Sequence, residues 1–337
     1  MAVHQEEKSY LIGAVDLNHN GELELARRLI DLAVETGLDA VKFQKRTPEK
    51  IWTRKAREKP FLSLPEFGKT VGEVYRTLEL SAAQFGDLRS YSRGKIDFLI
   101  APFDLDSLQL AMDLEVDGLK IDPPHLTNTP FLKAVACSQK RIFVSVAACN
   151  HQDIEQIVSL LKQNETVLLH SVHAKSLPIE ETSLGFMREL SSFGLPVGYA
   201  DYGPDPIPAL VALSLGACAI EKPFTLYHHL RGLCHAHSLD AEQLRKFVKD
   251  VRAVEAALKP NGARQIFPSE IEALDQDRLG LFAARDIRAG EEISTEMVEV
   301  KSPSCGLTPR LIDFVIGRKA VYDIKAEDPI TFGLIEL

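Results

Sequence analysis

The segments ETGLDAVKF (residues 35–43), LEVDGLKI (114–121), SSFGLPVGY (191–199) and LSLGACAIE (213–221) share one plan: the end of an amphipathic stretch, a turn holding glycine, then a short apolar run. A glycine after a helix suits the left-handed position that closes it, where a Cβ would be strained. The apolar run that follows reads as a strand. Runs of the same kind stand at 10–15 (YLIGAV), 98–101 (FLIA), 141–146 (RIFVSV) and 166–170 (TVLLH), which makes eight in all. Residues 22–36 place Leu25, Leu29, Leu32 and Ala33 on one face and Arg27, Asp31 and Glu35 elsewhere, a helical period for which Asn20 is the expected N-cap. Eight strand–helix units in the first ~230 residues predict a parallel (β/α)8 TIM barrel. The alternative, an open doubly wound sheet, is disfavoured because no G-x-G-x-x-G follows the first run.

The pattern changes after residue 258. Residues 240–258 carry one more helical face, with Leu244, Phe247, Val248, Val251, Val254 and Leu258. KPNGAR (259–264) then breaks it with proline and glycine, and a polar stretch runs to about residue 278. The remaining residues have short β-type runs and an internal echo: ARDIRAGEEI (284–293) and VYDIKAEDPI (321–330) share Asp-Ile, a basic residue, Ala and a final Ile. The expected organisation is a barrel over 1–260, a linker over 261–278 and a small β-rich domain of two similar halves over 279–337.

Composition excludes several classes. The chain has 337 residues, 45% hydrophobic and 26% charged, which fits a folded globular protein and not a disordered or disulfide-stapled one. Its 48 acidic residues outnumber 39 basic ones for a net charge of −9, so no nucleic-acid or anionic-membrane partner is expected. No apolar run approaches the ~20 residues of a membrane span. The opening MAVHQEEKSY lacks the basic-then-apolar form of a secretory leader, and the five cysteines (137, 149, 218, 234, 305) form no C-x-x-C pair. Reduced thiols and a cytoplasmic location are expected.

Alternation along the strands locates candidate chemistry. In the second strand Val41 and Phe43 share one face, which turns Lys42 and Gln44 to the other; in the fourth, Leu119 and Ile121 turn Lys120 and Asp122 inward. Functional groups of such barrels lie at the C-terminal strand ends. Two inward lysines lose hydration and need anions, supplied by a phosphate or carboxylate ligand or by protein carboxylates such as Asp122 or Glu221. Lys222 is a further cation on the eighth strand. His125, Cys149, His170, His173, Cys234, His235 and His237 are polar residues near strand ends, and Trp52 follows the second strand.

In order along the chain, Asn18-His19-Asn20-Gly21, Val41-Lys42-Phe43-Gln44, Ala101-Pro102-Phe103-Asp104, Leu119-Lys120-Ile121, Gly198-Tyr199-Ala200-Asp201 and Glu221-Lys222-x-Phe224-Thr225-Leu226 resemble the sialic acid synthase family, including its spore-coat polysaccharide biosynthesis members. The tail resembles that family's C-terminal SAF (antifreeze-like) domain through Ala283-Ala284-Arg285-Asp286-Ile287, Gly290-Glu291, Val300-Lys301, Gly306-Leu307-x-Pro309 and Ile316-Gly317-Arg318-Lys319-Ala320. The resemblance implies condensation of phosphoenolpyruvate with an N-acyl hexosamine to a nine-carbon sugar acid in surface-carbohydrate biosynthesis. The enol carbon attacks the sugar aldehyde, polarised by a divalent metal (commonly manganese or magnesium); water adds at the neighbouring carbon and phosphate leaves. It also implies that Lys42 and Lys120 bind phosphoenolpyruvate, that Gln44, His125, Cys234 and His235 stand at or near the sugar site, and that the protein is a homodimer with exchanged C-terminal domains.

The departures gather at the site. Where the family carries its catalytic Glu on the first strand, this chain has Ala14, and the two metal-ligand histidines are Tyr202 and Pro223. Asp122-Pro123-Pro124-His125 replaces a Gly-Ser-Gly-Glu turn, Cys234 stands for a sugar-binding Asp, and Ser302 for an Arg of the tail. A tyrosine and a proline do not replace two imidazoles, so no metal cofactor is expected. Ala14 supplies no acid or base. Two functions stay open: an enzyme still using phosphoenolpyruvate or a similar ligand, supported by Lys42, Gln44, Lys120 and Lys222, and a non-catalytic sugar- or anion-binding relative that serves a partner.

Overall fold

The computed structural model describes residues 8–172, 174, 178–259 and 265–337. The chain divides after Lys259 into two compact units. In the first, eight strands follow one another in spatial as well as sequence order: β1 (Tyr10–Asp16), β2 (Ala40–Lys45), β3 (Asp97–Pro102), β4 (Gly118–Ile121), β5 (Arg141–Val146), β6 (Thr166–Ser171), β7 (Val197–Ala200) and β8 (Ala219–Pro223). β8 pairs in parallel with β1, from Tyr10 opposite Ala219 to Ala14 opposite Pro223. The barrel is therefore closed, and the open sheet is excluded.

Alternation sorts the side chains as expected. Val41, Phe43, Leu119, Ile121 and Ile220 join the large apolar layer between strands and helices. Ile12, Ala40, Leu99, Phe143, Val167, Leu169 and Ala219 fill the barrel interior. Below them Tyr10 stacks on Phe143 at 5.5 Å and donates its hydroxyl to Asp97 at 2.6 Å. Apolar filling leaves the polar inward residues to the C-terminal end, where the strands open into loops.

Two local expectations are corrected. The helix Leu23–Thr36 has Glu22 at its N-cap with no side-chain cap, and Asn20 (φ 50°) sends its amide to the Arg231 carbonyl oxygen at 2.8 Å instead. Gly37, Gly194 and Gly216 do take the left-handed conformation, but Gly118 begins β4, and the left-handed residue of that turn is Glu115 (φ 50°). Gly118 answers to space: a Cβ there would stand 2.9 Å from Leu99 Cδ2 and 3.1 Å from the Arg141 carbonyl oxygen.

The helix Ala241–Leu258 is capped by Asp240, whose carboxylate accepts from the backbone N–H groups of Glu242 and Gln243. The stretch read as a linker over 261–278 holds a helix, Pro268–Asp277, while residues 261–264 lie outside the described residues. In the second unit β9 (Gly280–Ala283) pairs antiparallel with β10 (Val298–Lys301). The sequence echo pairs with itself: Ile287 and Ile324, equivalent in the two halves, exchange both backbone hydrogen bonds at 2.8 Å. Ile293 and Ile330, the closing residues of the halves, are fully enclosed in the same small core. No helix among the described residues is long and apolar enough to cross a membrane.

Candidate functional site

β2 and β4 carry Lys42 and Lys120 into the barrel mouth, and both are fully buried. β8 brings Glu221 between them. Its carboxylate stands 2.9 Å from Lys42 Nζ and 3.2 Å from Lys120 Nζ, so the two ammonium groups already share one anion, and that anion belongs to the protein. Lys120 also pairs with Asp122 at 2.7 Å, and the Gln44 amide donates to Asp122 at 3.3 Å. Lys42 pairs with Asp16 and donates to the Tyr202 hydroxyl at 3.1 Å, which in turn donates to Glu221 at 2.9 Å.

Asp16 reaches this cluster through a break in the strand. The register of β1 against β2 slips between Ala14 (opposite Lys42) and Asp16 (opposite Phe43), and Asp16 has φ 48°. Few residues other than glycine take that region; Asp and Asn tolerate it best. The electrostatics follow from enclosure. Burial works against the charge on Lys42, yet Asp16 and Glu221 beside it more than offset this and hold its pKa well above the usual lysine value. Burial opposes ionisation of Asp122 and Glu221 as well, and Lys120 with Lys42 overcomes it, holding both below the usual carboxylate range. For Asp16 burial wins: Lys42 offsets it only in part, and the carboxyl lies above its usual value. Burial, then Asp16 and Glu221, push the Tyr202 phenol well up, so it is a protonated donor.

The other candidates lie around this cluster. Lys222 turns away from Lys42 and Lys120. It pairs with buried Asp201 at 2.7 Å and donates to the Gly203 carbonyl oxygen at 2.6 Å, so it anchors the loop after β7. Cys234 is close enough to feel Asp16, and burial with that charge pushes its thiol up to about 12. His235 is fully enclosed, with Nδ1 2.7 Å from Thr225 Oγ1 and Nε2 3.2 Å from Asn20 Oδ1, and ties the loops after β1 and β8 together. His125 stacks on Phe131 at 4.3 Å, beside Phe103, and burial lowers its pKa. It lines a separate cleft of about 710 Å³ at the ends of β2, β3 and β4, with Trp52, Phe103, Asp104, Asn128 and Phe131. Trp52 rests on Tyr75 at 4.6 Å. Ala14 is fully buried. His170 meets the Thr182 carbonyl oxygen at 2.8 Å, and His173 lies outside the described residues.

Sequence reading missed Asp16 and Arg46. Asp16 shares the inward parity of Ile12 and Ala14, a signal present in the residues but masked by its place at a strand end. Arg46 is buried, with its guanidinium 4.4 Å above the Phe103 ring and 3.1 Å from Glu79. It bridges the cluster and the cleft through Gln44, whose side-chain oxygen accepts from it.

A divalent metal does not fit here. At the two implied ligand positions Pro223 has no donor side chain and Tyr202 is a protonated phenol already bonded to Glu221. The nearby carboxylates are each committed to lysine, and no group of three His, Cys, Asp or Glu side chains among the described residues is placed to hold an ion.

Comparisons with known proteins agree with this architecture. Residues 29–262 match the model of the NeuB family, and residues 279–336 match the SAF domain. The N,N'-diacetyllegionaminic acid synthase of Campylobacter jejuni is 31% identical over 332 residues, 96% of this chain and 99% of that protein. The human N-acetylneuraminate-9-phosphate synthase is 28% identical over 97% of this chain and 92% of its own length. Among solved structures, the N-acetylneuraminic acid synthetase of Leptospira borgpetersenii, crystallised with citrate, superposes with a TM-score of 0.67 at 27% identity, covering 80% of this chain and 90% of that one.

Proposed function

The chain belongs to the NeuB family, and on that premise we propose that its barrel mouth binds phosphoenolpyruvate at Lys42 and Lys120 and joins it to an N-acyl hexosamine-type sugar, giving a nonulosonic acid and phosphate for surface carbohydrate. One observation carries the reading: two buried ammonium groups from different strands converge on a single carboxylate, that of Glu221. A ligand carboxylate or phosphate has the charge to take a share of the same donors. The acceptor sugar is assigned to the cleft that His125 lines, where Trp52 and Phe103 give aromatic faces and Asp104 and Asn128 give polar edges, with Gln44 connected to it through Arg46 on the Phe103 ring. Cys234 and His235 border the mouth from the loop after β8; His235 acts there by holding the loop. With no metal to polarise the aldehyde, that task falls to protein donors; the neutral Tyr202 hydroxyl would serve by passing its one hydrogen bond from Glu221 to the aldehyde oxygen.

A second reading, a non-catalytic sugar- or anion-binding relative, is favoured by one specific feature. The lysines are already neutralised by Asp16, Asp122 and Glu221, and Ala14 offers no acid in the usual place. Titration calorimetry with phosphoenolpyruvate, with and without manganese, joined to a phosphate-release assay over a panel of N-acyl hexosamines, separates the two. Release of phosphate that needs both substrates and ignores manganese supports the synthase. Binding without release supports the second reading, and no binding defeats both assignments of the lysines.

A further inference from the structure

We infer that Asp16 is the proton-carrying residue of the Lys42–Lys120 site, so that an anion bound between the lysines enters together with one proton held on the Asp16 carboxyl. The inference rests on the reading of those lysines as the phosphoenolpyruvate site, and it identifies a residue for which the family resemblance does not provide.

Lys42 and Lys120 face three carboxylates, Asp16, Asp122 and Glu221, so the cluster holds one more negative than positive charge when all are ionised. A further anion raises that excess in a medium where charges are poorly screened, and something must compensate. The three carboxylates are not equally held. Glu221 has both lysines and the Tyr202 hydroxyl. Asp122 has Lys120 and the Gln44 amide. Asp16 has Lys42 alone among the described residues, although its residue is only 3% exposed. It also sits in a left-handed conformation at a break in strand register, the kind of strain that persists where a side chain is needed in place.

The groups that face Asp16 come from every side of the mouth: Lys42 from β2, Asp122 from the end of β4, Tyr202 after β7, Glu221 from β8 and Cys234 from the loop beyond. Only Lys42 favours its charge. Burial already raises its carboxyl, and Asp122 and Glu221 raise it further. When an anion arrives, the Lys42 ammonium exchanges its hydrogen bond to Asp16 for one to an anion oxygen. Asp16 then takes one proton from the buffered solvent, which keeps the enclosed charge nearer balance. Ala14, two residues earlier on the same face, has no group to do this.

The test is titration calorimetry of the full chain with phosphoenolpyruvate at about pH 8, where the ligand phosphate is already ionised. Paired buffers of different ionisation enthalpy give the protons taken up. The wild type is expected to take up about one proton per ligand, and Asp16→Asn none, with affinity at least about tenfold higher because a repelling charge is gone. A second reading needs no variant: wild-type affinity should fall about tenfold per pH unit above neutrality, as expected for one linked proton. Binding with no proton uptake and no such pH dependence overturns the role of Asp16 while leaving the lysine site standing. Absence of phosphoenolpyruvate binding in both wild type and Asp16→Asn overturns the lysine site, and the role of Asp16 with it.

Discussion

His235 shows how an enclosed residue sets a pH limit for the molecule. Burial lowers its pKa to about 4, and that of His19 to about 3. In the unfolded chain both return to about 6.5. Between those values the unfolded chain binds protons that the folded one refuses, so the contribution of each histidine is present above about pH 6.5 and is lost as pH falls. Each accounts for up to about 1.4 kcal/mol per pH unit. Urea denaturation from about pH 7 to about pH 4.5 should show wild type losing stability more steeply than His235→Asn, by about 1 kcal/mol per unit. Parallel curves would show that His235 titrates freely. At this scale the sequence was partly legible. Alternation on β2 and β4 brought Lys42 and Lys120 together correctly, because parity depends only on neighbours in the strand. Parity does not say which anion stands between them, since Glu221 arrives from a strand 179 residues beyond Lys42. The bond from His235 to Asn20 spans 215 residues between two loops and leaves no periodic trace.

At the scale of the element, close approach matters as much as apolar pattern. β7 is only four residues long and carries Gly198 between β6 and β8. A Cβ at Gly198 would stand 2.4 Å from the Ala219 carbonyl oxygen and 2.7 Å from Leu169 Cδ2. The first neighbour is backbone and has no rotamer to yield. Gly198→Ala should therefore push β7 off β8 and cost about 2 kcal/mol or more, read as a lower denaturation midpoint. Gly37→Ala, where nothing lies within 4 Å, tests conformation alone, because φ there is 81°; a loss of about 1 kcal/mol is expected. Equal effects at both sites would contradict the packing argument. The eight strands were readable because each is a short apolar run between helical stretches, and their observed bounds differ from the pattern by two residues at most. The helix Pro268–Asp277 was not readable. It is mostly polar, and polar sequence without an apolar face looks like linker.

For the whole molecule, the second unit poses a question of stability. Its core is ten buried apolar residues built around β9, β10 and the paired echo of Ile287 and Ile324. A domain of roughly 60 residues buries little of its surface and is marginal alone. Docking on another body would stabilise it, and the resemblance to the sialic acid synthase family implies that the body is the barrel of a partner subunit. Between the barrel and β9 the helix Pro268–Asp277, 10 residues at about 1.5 Å each, spans about 15 Å of the connection to a neighbour. We propose a two-fold homodimer in which each SAF domain covers the partner's mouth, a closed arrangement that leaves no unpaired interface. Because Ser302 stands where the family carries a sugar-contacting Arg, the domain is expected to act as a lid and not as a charged clamp. Light scattering at micromolar concentration should give twice the monomer mass, and a monomer would defeat the exchange. Removing residues 279–337 should leave the barrel folded and weaken ligand binding; if affinity is unchanged, the lid role fails even where the dimer stands.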